Sequence, residues 1–458
     1  MILERINSFV WGVPALVLIL GVGIYLSIRT GFLQISLFPR ALRKFVYEMI
    51  GKRKNNGEGS AYRSLCTALA ATVGTGNLAG VAGAIAIGGP GAIFWMWICA
   101  IFGMITKFAE ATLAIRYRIR NEKGELVGGS MYMIENGLGN RWRWMSVFYC
   151  FFGVVASFGV GNATQINAVI GGINSILDTF GGRETMIGNL MIGIALAILV
   201  SMLLLGGAER IGTVAEKLIP IASFGYLLLG AFVLVVRFQY IPAAFSSILQ
   251  GALSPNAVTG GVVGSVFTAL RVGASRGVFT NEAGMGTASI AHASAEVSHP
   301  VEQGFMGIME VFLDTIVICT MTALVILCSG VDIPYGFDTG IRLTTDAFSA
   351  VMGDWVCIPI ALALCLFAIG TVLGWGLYGA RCAQYLFGAN VWKVFVHLQA
   401  VTVVIGALLG TGTVWLLAET VNGLMAIPNL IALALLCPEL VQLVRQYRTA
   451  PGIGPGAG

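Results

Sequence analysis

The sequence predicts an all-α, polytopic membrane protein of eleven spans, in which one extra N-terminal helix precedes two inverted five-helix repeats. Three observations carry this. First, 57% of the 458 residues are hydrophobic and 11% are charged, against about 25% charged in soluble domains. Second, the basic residues lie on alternate connections. Third, two of the apolar runs are interrupted by glycine and polar residues at matching places in the two halves.

Runs of about 20 apolar residues cross a bilayer. On that criterion the spans are 9–28, 64–88, 91–115, 144–176, 186–205, 215–236, 260–295, 302–328, 352–379, 394–412 and 419–444. The first run is long enough to remain as an anchor and shows no leader-cleavage pattern. The connections 29–63 and 116–143 are too short and polar to form domains, so 1–458 reads as a single transmembrane domain. The tail 445–458 reads as flexible and cytoplasmic.

With eleven spans, one side of the membrane receives 20 Lys and Arg and the other receives Arg5, Arg183, Arg237 and Arg342. The positive-inside rule then puts the N-terminus outside and the C-terminus in the cytoplasm of a bacterial-type inner membrane. This accounts for the net charge of +5 without a nucleic-acid partner. The nine cysteines form no CxxC pair and the three histidines no HExxH. No nucleophile–base pair or cofactor motif is evident, so the chain does not read as an enzyme.

The second span contains Thr72-Val-Gly-Thr-Gly-Asn77 and the seventh contains Arg276-Gly-Val-Phe-Thr-Asn-Glu-Ala-Gly-Met-Gly286. Non-helical backbone at membrane depth survives only inside protein or beside a water-filled cavity. The first span apart, these interruptions open the blocks 64–236 and 260–444. Five spans is an odd number, so the blocks have opposite topology, a layout common in sodium-coupled carriers. Unwinding at Gly74, Thr75 and Gly76 frees carbonyls for a sodium ion or an ammonium, and N–H groups for a carboxylate. Asn77 can donate and accept in the same space. The alternative is a GxG helix-packing site.

Within the second break, Asn281 and Glu282 lie between Gly277 and Gly284. Glu282 could gate, titrate, or neutralise Arg276 or Arg271, and pairing with an arginine is the favoured expectation. Glu310 and Asp314, spaced i,i+4, offer further partners, and Lys107 with Glu110 reads as a local i,i+3 pair. If the repeats hold, Gln165 and the pair Thr371 and Trp375 lie on opposed third helices of the two blocks.

Gly89-Pro-Gly-Ala-Ile-Phe-Trp-Met-Trp-Ile-Cys-Ala-Ile-Phe-Gly103 resembles the signature segment of the alanine or glycine:cation symporters (AGCS), the sodium:alanine symporter family. The resemblance continues through Ala71–Ala82, Gly161–Asn167, Phe279–Gly286, Asp314–Thr320 and Tyr385–Gly388. It implies a leucine-transporter (LeuT) type fold and Na⁺-driven symport of alanine, glycine or a similar small neutral amino acid by a monomer. No cofactor other than the coupling ion is implied. The implied substrate contacts are Thr75, Gly76, Asn77, Gln165, Thr371 and Trp375. Sodium would lie between Ala71, Thr72, Gly74 and Thr371. The chain departs from the family pattern at Gly370, where a serine is common, and at Ala380, where an acid is usual. A proton-coupled carrier is the alternative reading, and an ion channel a further one.

Overall fold

Helix ends in this chain fall where the sequence supplies a terminator. The computed structural model describes residues 12–50, 60–122, 124–262, 265–337, 340–408 and 411–449. Helix α1 (Val13–Thr30) has Pro14 in its first turn and stops at Gly31, whose φ of 70° suits glycine. Helix α2 (Phe38–Ile50) exposes Tyr47 and Ile50 while Lys44 pairs with Glu48 and Glu302. An apolar face beside a charged one is the pattern of a helix lying along a membrane interface.

Helices α3 (Ser60–Thr72) and α4 (Gly76–Gly88) form one span bent by 56°. A turn at Gly89, with φ of 71°, leads into α5 (Gly91–Tyr117). The two-residue strands Ile119–Arg120 and Leu126–Val127 then pair antiparallel. Helix α6 (Asn140–Thr179) runs through a π-helical turn at Gly159–Ala163. Helix α7 (Met186–Leu204) is capped by Thr185, whose hydroxyl accepts from Gly188 N at 3.0 Å. Helices α8 (Gly207–Val236) and α9 (Ile241–Leu253) complete the first half. A Cβ on Gly91 would lie 2.1 Å from the Gly251 carbonyl carbon, so α5 and α9 meet backbone to backbone.

The second half opens with α10 (Val266–Asn281), capped by Ser265, and the short α11 (Ala288–His292). Helix α12 (Pro300–Ser329) contains a π-helical turn at Phe312–Cys319. Then follow α13 (Ile341–Met352), α14 (Cys357–Phe387), α15 (Val391–Leu408), α16 (Thr411–Leu435) and α17 (Cys437–Thr449).

Among the described residues, seven helices are long and apolar enough to cross a membrane, and two bent pairs raise that to nine. The expected count of eleven is not reached by this measure. The expected span 9–28 corresponds to α1, of which 9–11 lie outside the described residues. The expected span 260–295 is a 16-residue helix, a loop and a short helix, because polar and glycine residues end α10 at Asn281. The span 419–444 bends by 57° near Leu436, and its last part belongs to α17. Residues 445–449 are therefore helical rather than a flexible tail, and 450–458 lie outside the described residues. Helices α2, α9 and α13 fall in segments read as connections, being too short or too polar for the span criterion.

The start of α12 carries a titratable cap. His299 Nδ1 accepts from Val301 N at 3.3 Å, which requires the neutral ring. Burial pushes the His299 pKa below 6.5, against an opposing pull from Glu302. A lowered imidazole pKa stabilises the fold above the unfolded value, and that contribution is lost as pH falls. The melting temperature of the detergent-solubilised protein should thus drop as pH falls below about 6.5. His299→Asn, which keeps a capping oxygen, should lose that part of the pH dependence.

Candidate functional site

The first break begins when Gly74 leaves the helical ladder. Its N–H donates to Asn77 Oδ1 at 2.9 Å rather than back along α3. This releases the Ala70 carbonyl, which faces α14, lying 3.3 Å from where a Cβ on Gly370 would stand. A Cβ on Gly374 would lie 2.7 Å from the Ala71 Cβ. The two glycines thus let the end of α3 settle onto α14 at backbone distance.

Gly74 is the meeting point of three elements. A Cβ there would lie 2.6 Å from Thr371 Oγ1 on α14 and 3.4 Å from Gln165 Oε1 on α6. Gln165 Oε1 also accepts from Thr75 N at 3.5 Å, and its amide nitrogen donates to Val160 O inside the π-helical turn. Thr75 Oγ1 is buried without a hydrogen-bond partner. Gly76 packs on α10, since a Cβ there would stand 3.0 Å from Thr280 Cγ2. Of the expected contacts, Thr75, Gly76, Gln165 and Thr371 therefore surround Gly74.

Asn77 has a different setting. Its oxygen is taken by Gly74, and its amide nitrogen donates to Asp314 Oδ1 at 2.7 Å. Asp314 Oδ2 accepts from Thr315 Oγ1, which accepts from Asn281 at the end of α10. This chain of bonds ties the two breaks together. In the sequence Asp314 stands out as an acid inside an apolar span, four residues after Glu310 and at the head of the stretch Asp314–Thr320.

At the second break the backbone turns through left-handed conformations at Glu282, Gly284 and Gly286, with φ of 54°, 93° and 76°. The freed N–H groups of Gly284 and Gly286 both donate to Glu110 Oε1 at 3.0 Å. Asn429 on α16 donates to the same oxygen and to the Gly284 carbonyl. Ser130 donates to the Gly286 carbonyl. The expected Lys107–Glu110 pair is thereby corrected. Lys107 Nζ bonds Glu310 Oε1 at 2.9 Å, and Glu110 satisfies the loop instead.

The expected pairing of Glu282 with Arg276 or Arg271 is likewise replaced. Glu282 Oε2 accepts from Thr287 Oγ1 at 2.6 Å, and Oε1 from Trp375 Nε1 at 2.8 Å. Arg276 stands earlier on α10, half-exposed. Trp375 is fully buried, with Gly161 so close that a Cβ there would lie 2.2 Å from the Trp375 Cβ. Its ring nitrogen serves the second break while Thr371, one turn earlier, serves the first.

A cavity of about 300 Å³ opens among Arg63, Thr67, Gly212, Leu377 and Arg381. Another, of about 590 Å³, opens among Asn174, Glu184, Arg342, Asp346 and Leu364. Leu364 and Leu377 flank Thr371 by about 10 Å each along α14, at 1.5 Å per residue. Between the cavities Thr75 and Asn77 are 0% exposed, Thr371 2% and Gln165 3%. The centre is closed toward both vestibules.

The bent span α3–α4 and the interrupted α10–α11 segment, packed on α6 and α14 with a cavity at each end, give a fold of the leucine-transporter type. MhsT, solved in complex with L-phenylalanine, shares this fold with a TM-score of 0.56 over 84% of this chain and 97% of its own. At 15% identity that likeness concerns the fold alone.

The chain belongs to the sodium:alanine symporter family, whose profile matches residues 1–454. It is 42% identical to the sodium/alanine symporter AgcS of Methanococcus maripaludis, over 97% of this chain and 96% of that protein. It is 35% identical to the amino-acid carrier protein AlsT of Bacillus subtilis, over 96% and 90%. The protein is a multi-pass membrane transporter of amino acids and not an enzyme.

The glycine at the meeting point gives a sharp test. Gly74→Ala places a methyl against Thr371, and overpacking of this kind costs about 1–3 kcal/mol. Labelled amino-acid uptake should fall roughly tenfold or more with membrane insertion unchanged. Gly80→Ala, whose new methyl would meet nothing nearer than 3.9 Å, should transport near normally.

Proposed function

We propose that the protein carries alanine, glycine or a similar small neutral amino acid into the cell together with sodium, by alternating access about the first break. The observation that carries this is the packing of Gly74 against Thr371 and Gln165, beside a buried Thr75 hydroxyl that lacks a partner. The unwound backbone offers both signs of partial charge that a zwitterion needs. Burying such a guest without them would cost many kcal/mol.

For the ion, the Ala70 carbonyl of α3 lies against Gly370 and Thr371 Oγ1 of α14 lies against Gly74, beside the expected positions Ala71, Thr72 and Gly74. Uncharged hard oxygens suit a monovalent alkali cation. Among the described residues no group of three or more His, Cys, Asp or Glu is placed to hold a metal. Gly370 brings no hydroxyl, so the carbonyl carries the greater share of that side. The membrane potential favours inward sodium by about 2.3 kcal/mol per charge per 100 mV. This reading sets the N-terminus outside and the C-terminus in the cytoplasm of the inner membrane. The Arg63 and Arg381 vestibule is then the cytoplasmic one.

Counterflow of labelled alanine in proteoliposomes, with sodium present and then replaced by choline, tests the reading. Saturable exchange that requires sodium is expected. Asn77→Ala and Thr371→Ala should each abolish it while the proteins still insert. Sodium-independent exchange, or near-normal transport by both variants, contradicts it.

A further inference from the structure

Helix α2 turns three faces to three surroundings. At about 100° per residue, Ala41, Phe45 and Phe38 fall together on one face. Ala41 is fully buried, the Phe45 ring lies 6.2 Å from that of Tyr62 on α3, and the Phe38 ring lies 4.9 Å from that of Phe312 on α12. This face packs on the protein. Leu42, Val46, Met49 and Ile50 make a second face, and all four are exposed, Met49 by 46% and Ile50 by 70%. Arg43, Tyr47 and Arg40 follow round the helix as a third, exposed or half-exposed. Lys44 and Glu48 close the circle, paired with each other.

Four large apolar side chains in one exposed strip need an apolar cover. The position of α2 says what that cover is. Helix α1 stops at Gly31, and the backbone turns through positive φ there and at Phe32. The chain therefore leaves its span and starts α2 at the edge of the membrane. A helix at that level sinks its apolar strip among acyl chains and keeps basic residues and tyrosine among the head groups. The positive-inside rule accounts for the side on which arginines fall, but it asks for no apolar strip beside them.

Charge narrows the occupant further. From 29 to 50 the chain carries Arg29, Arg40, Arg43 and Lys44 against one acid, Glu48. Guanidinium groups match phosphate oxygens in pairs. A second copy of the chain laid along the same strip would bring an equal row of positive charge, which repels. A head group with net negative charge complements the row.

We propose that α2 is a binding site for anionic phospholipid, its acyl chains against Leu42, Val46, Met49 and Ile50 and its phosphate held by Arg40 and Arg43. The lipid sets the height of α2 in the membrane. Helix α2 in turn leans on α12 at two levels, by Lys44 on Glu302 at 3.5 Å near the start and by Phe38 on Phe312 at the head of the π-helical turn. Bound lipid thereby steadies the helix that joins the two breaks. The site is the same whichever amino acid or ion is carried.

Native mass spectrometry of the full chain in detergent tests this, with phosphatidylglycerol or phosphatidylcholine of identical acyl chains added. Melting temperatures are followed alongside, since a ligand of the folded state raises them. The wild type should bind phosphatidylglycerol more tightly and melt higher with it. Arg40→Gln combined with Arg43→Gln should weaken that binding roughly 30-fold, at about fivefold per arginine, and leave phosphatidylcholine binding unchanged. Arg40→Lys with Arg43→Lys, which keeps both charges, should retain most of it. Arg342→Gln, on the far vestibule, should bind like the wild type. The wild-type gain in melting temperature should shrink as salt is raised, a readout that stands even if the glutamine variant does not insert. Equal binding of the two lipids, unchanged phosphatidylglycerol binding by the glutamine variant, or a gain indifferent to salt overturns the site. A wild-type dimer that Met49→Gln with Ile50→Gln splits into monomers also overturns it, giving the strip to a second copy.

Discussion

The centre of this protein depends on one unbroken helix bracing two broken ones. Helix α14 accepts the end of α3 against Gly370 and Gly374, places Thr371 against Gly74, and one turn later gives the Trp375 N–H to Glu282. An interrupted span in lipid must satisfy its freed backbone groups within the protein. Here α14 and α6 supply the walls that allow this. The glycines are what let backbone approach backbone there, so the site is built as much from missing side chains as from present ones.

The two breaks resolve the same problem in opposite ways. At the second, the protein supplies its own anion. The Glu110 carboxylate takes two loop N–H groups and is held by Asn429. At the first, the Ala70 carbonyl is released toward α14 and the Thr75 hydroxyl is left without a partner. The second break is filled by the protein's own groups, and on the reading proposed above the first is the receptor. Asp314 joins them, reaching Asn77 on one side and, through Thr315, Asn281 on the other.

Much of this was legible in the sequence because glycine and asparagine inside an apolar run contradict a plain span. Gly74, Gly76 and Asn77 announced the first break, and Gly284 and Gly286 the second. The repeat reading placed Gln165, Thr371 and Trp375 on opposed third helices, and the family resemblance then implied them as substrate contacts. The partners of buried charges were not legible. Sequence neighbours suggested Lys107 with Glu110 and Glu282 with Arg276. The structure instead pairs Lys107 with Glu310, more than two hundred residues away in the chain, and Glu282 with an indole. Such pairings are set by how helices cross, which spacing along one helix cannot encode. Helices α2, α9 and α13 escaped for a simpler reason, since a span criterion does not register short helices.

Hydrogen–deuterium exchange in the backbone of both breaks, with and without alanine and sodium, tests the central claim most directly. If the first break is the receptor, amides around Thr72–Gly80 gain protection when alanine and sodium are present together. Those of Ala283–Thr287, already held by Glu110 and Asn429, should stay as they were. Protection appearing at the second break alone, or at neither, would contradict the account.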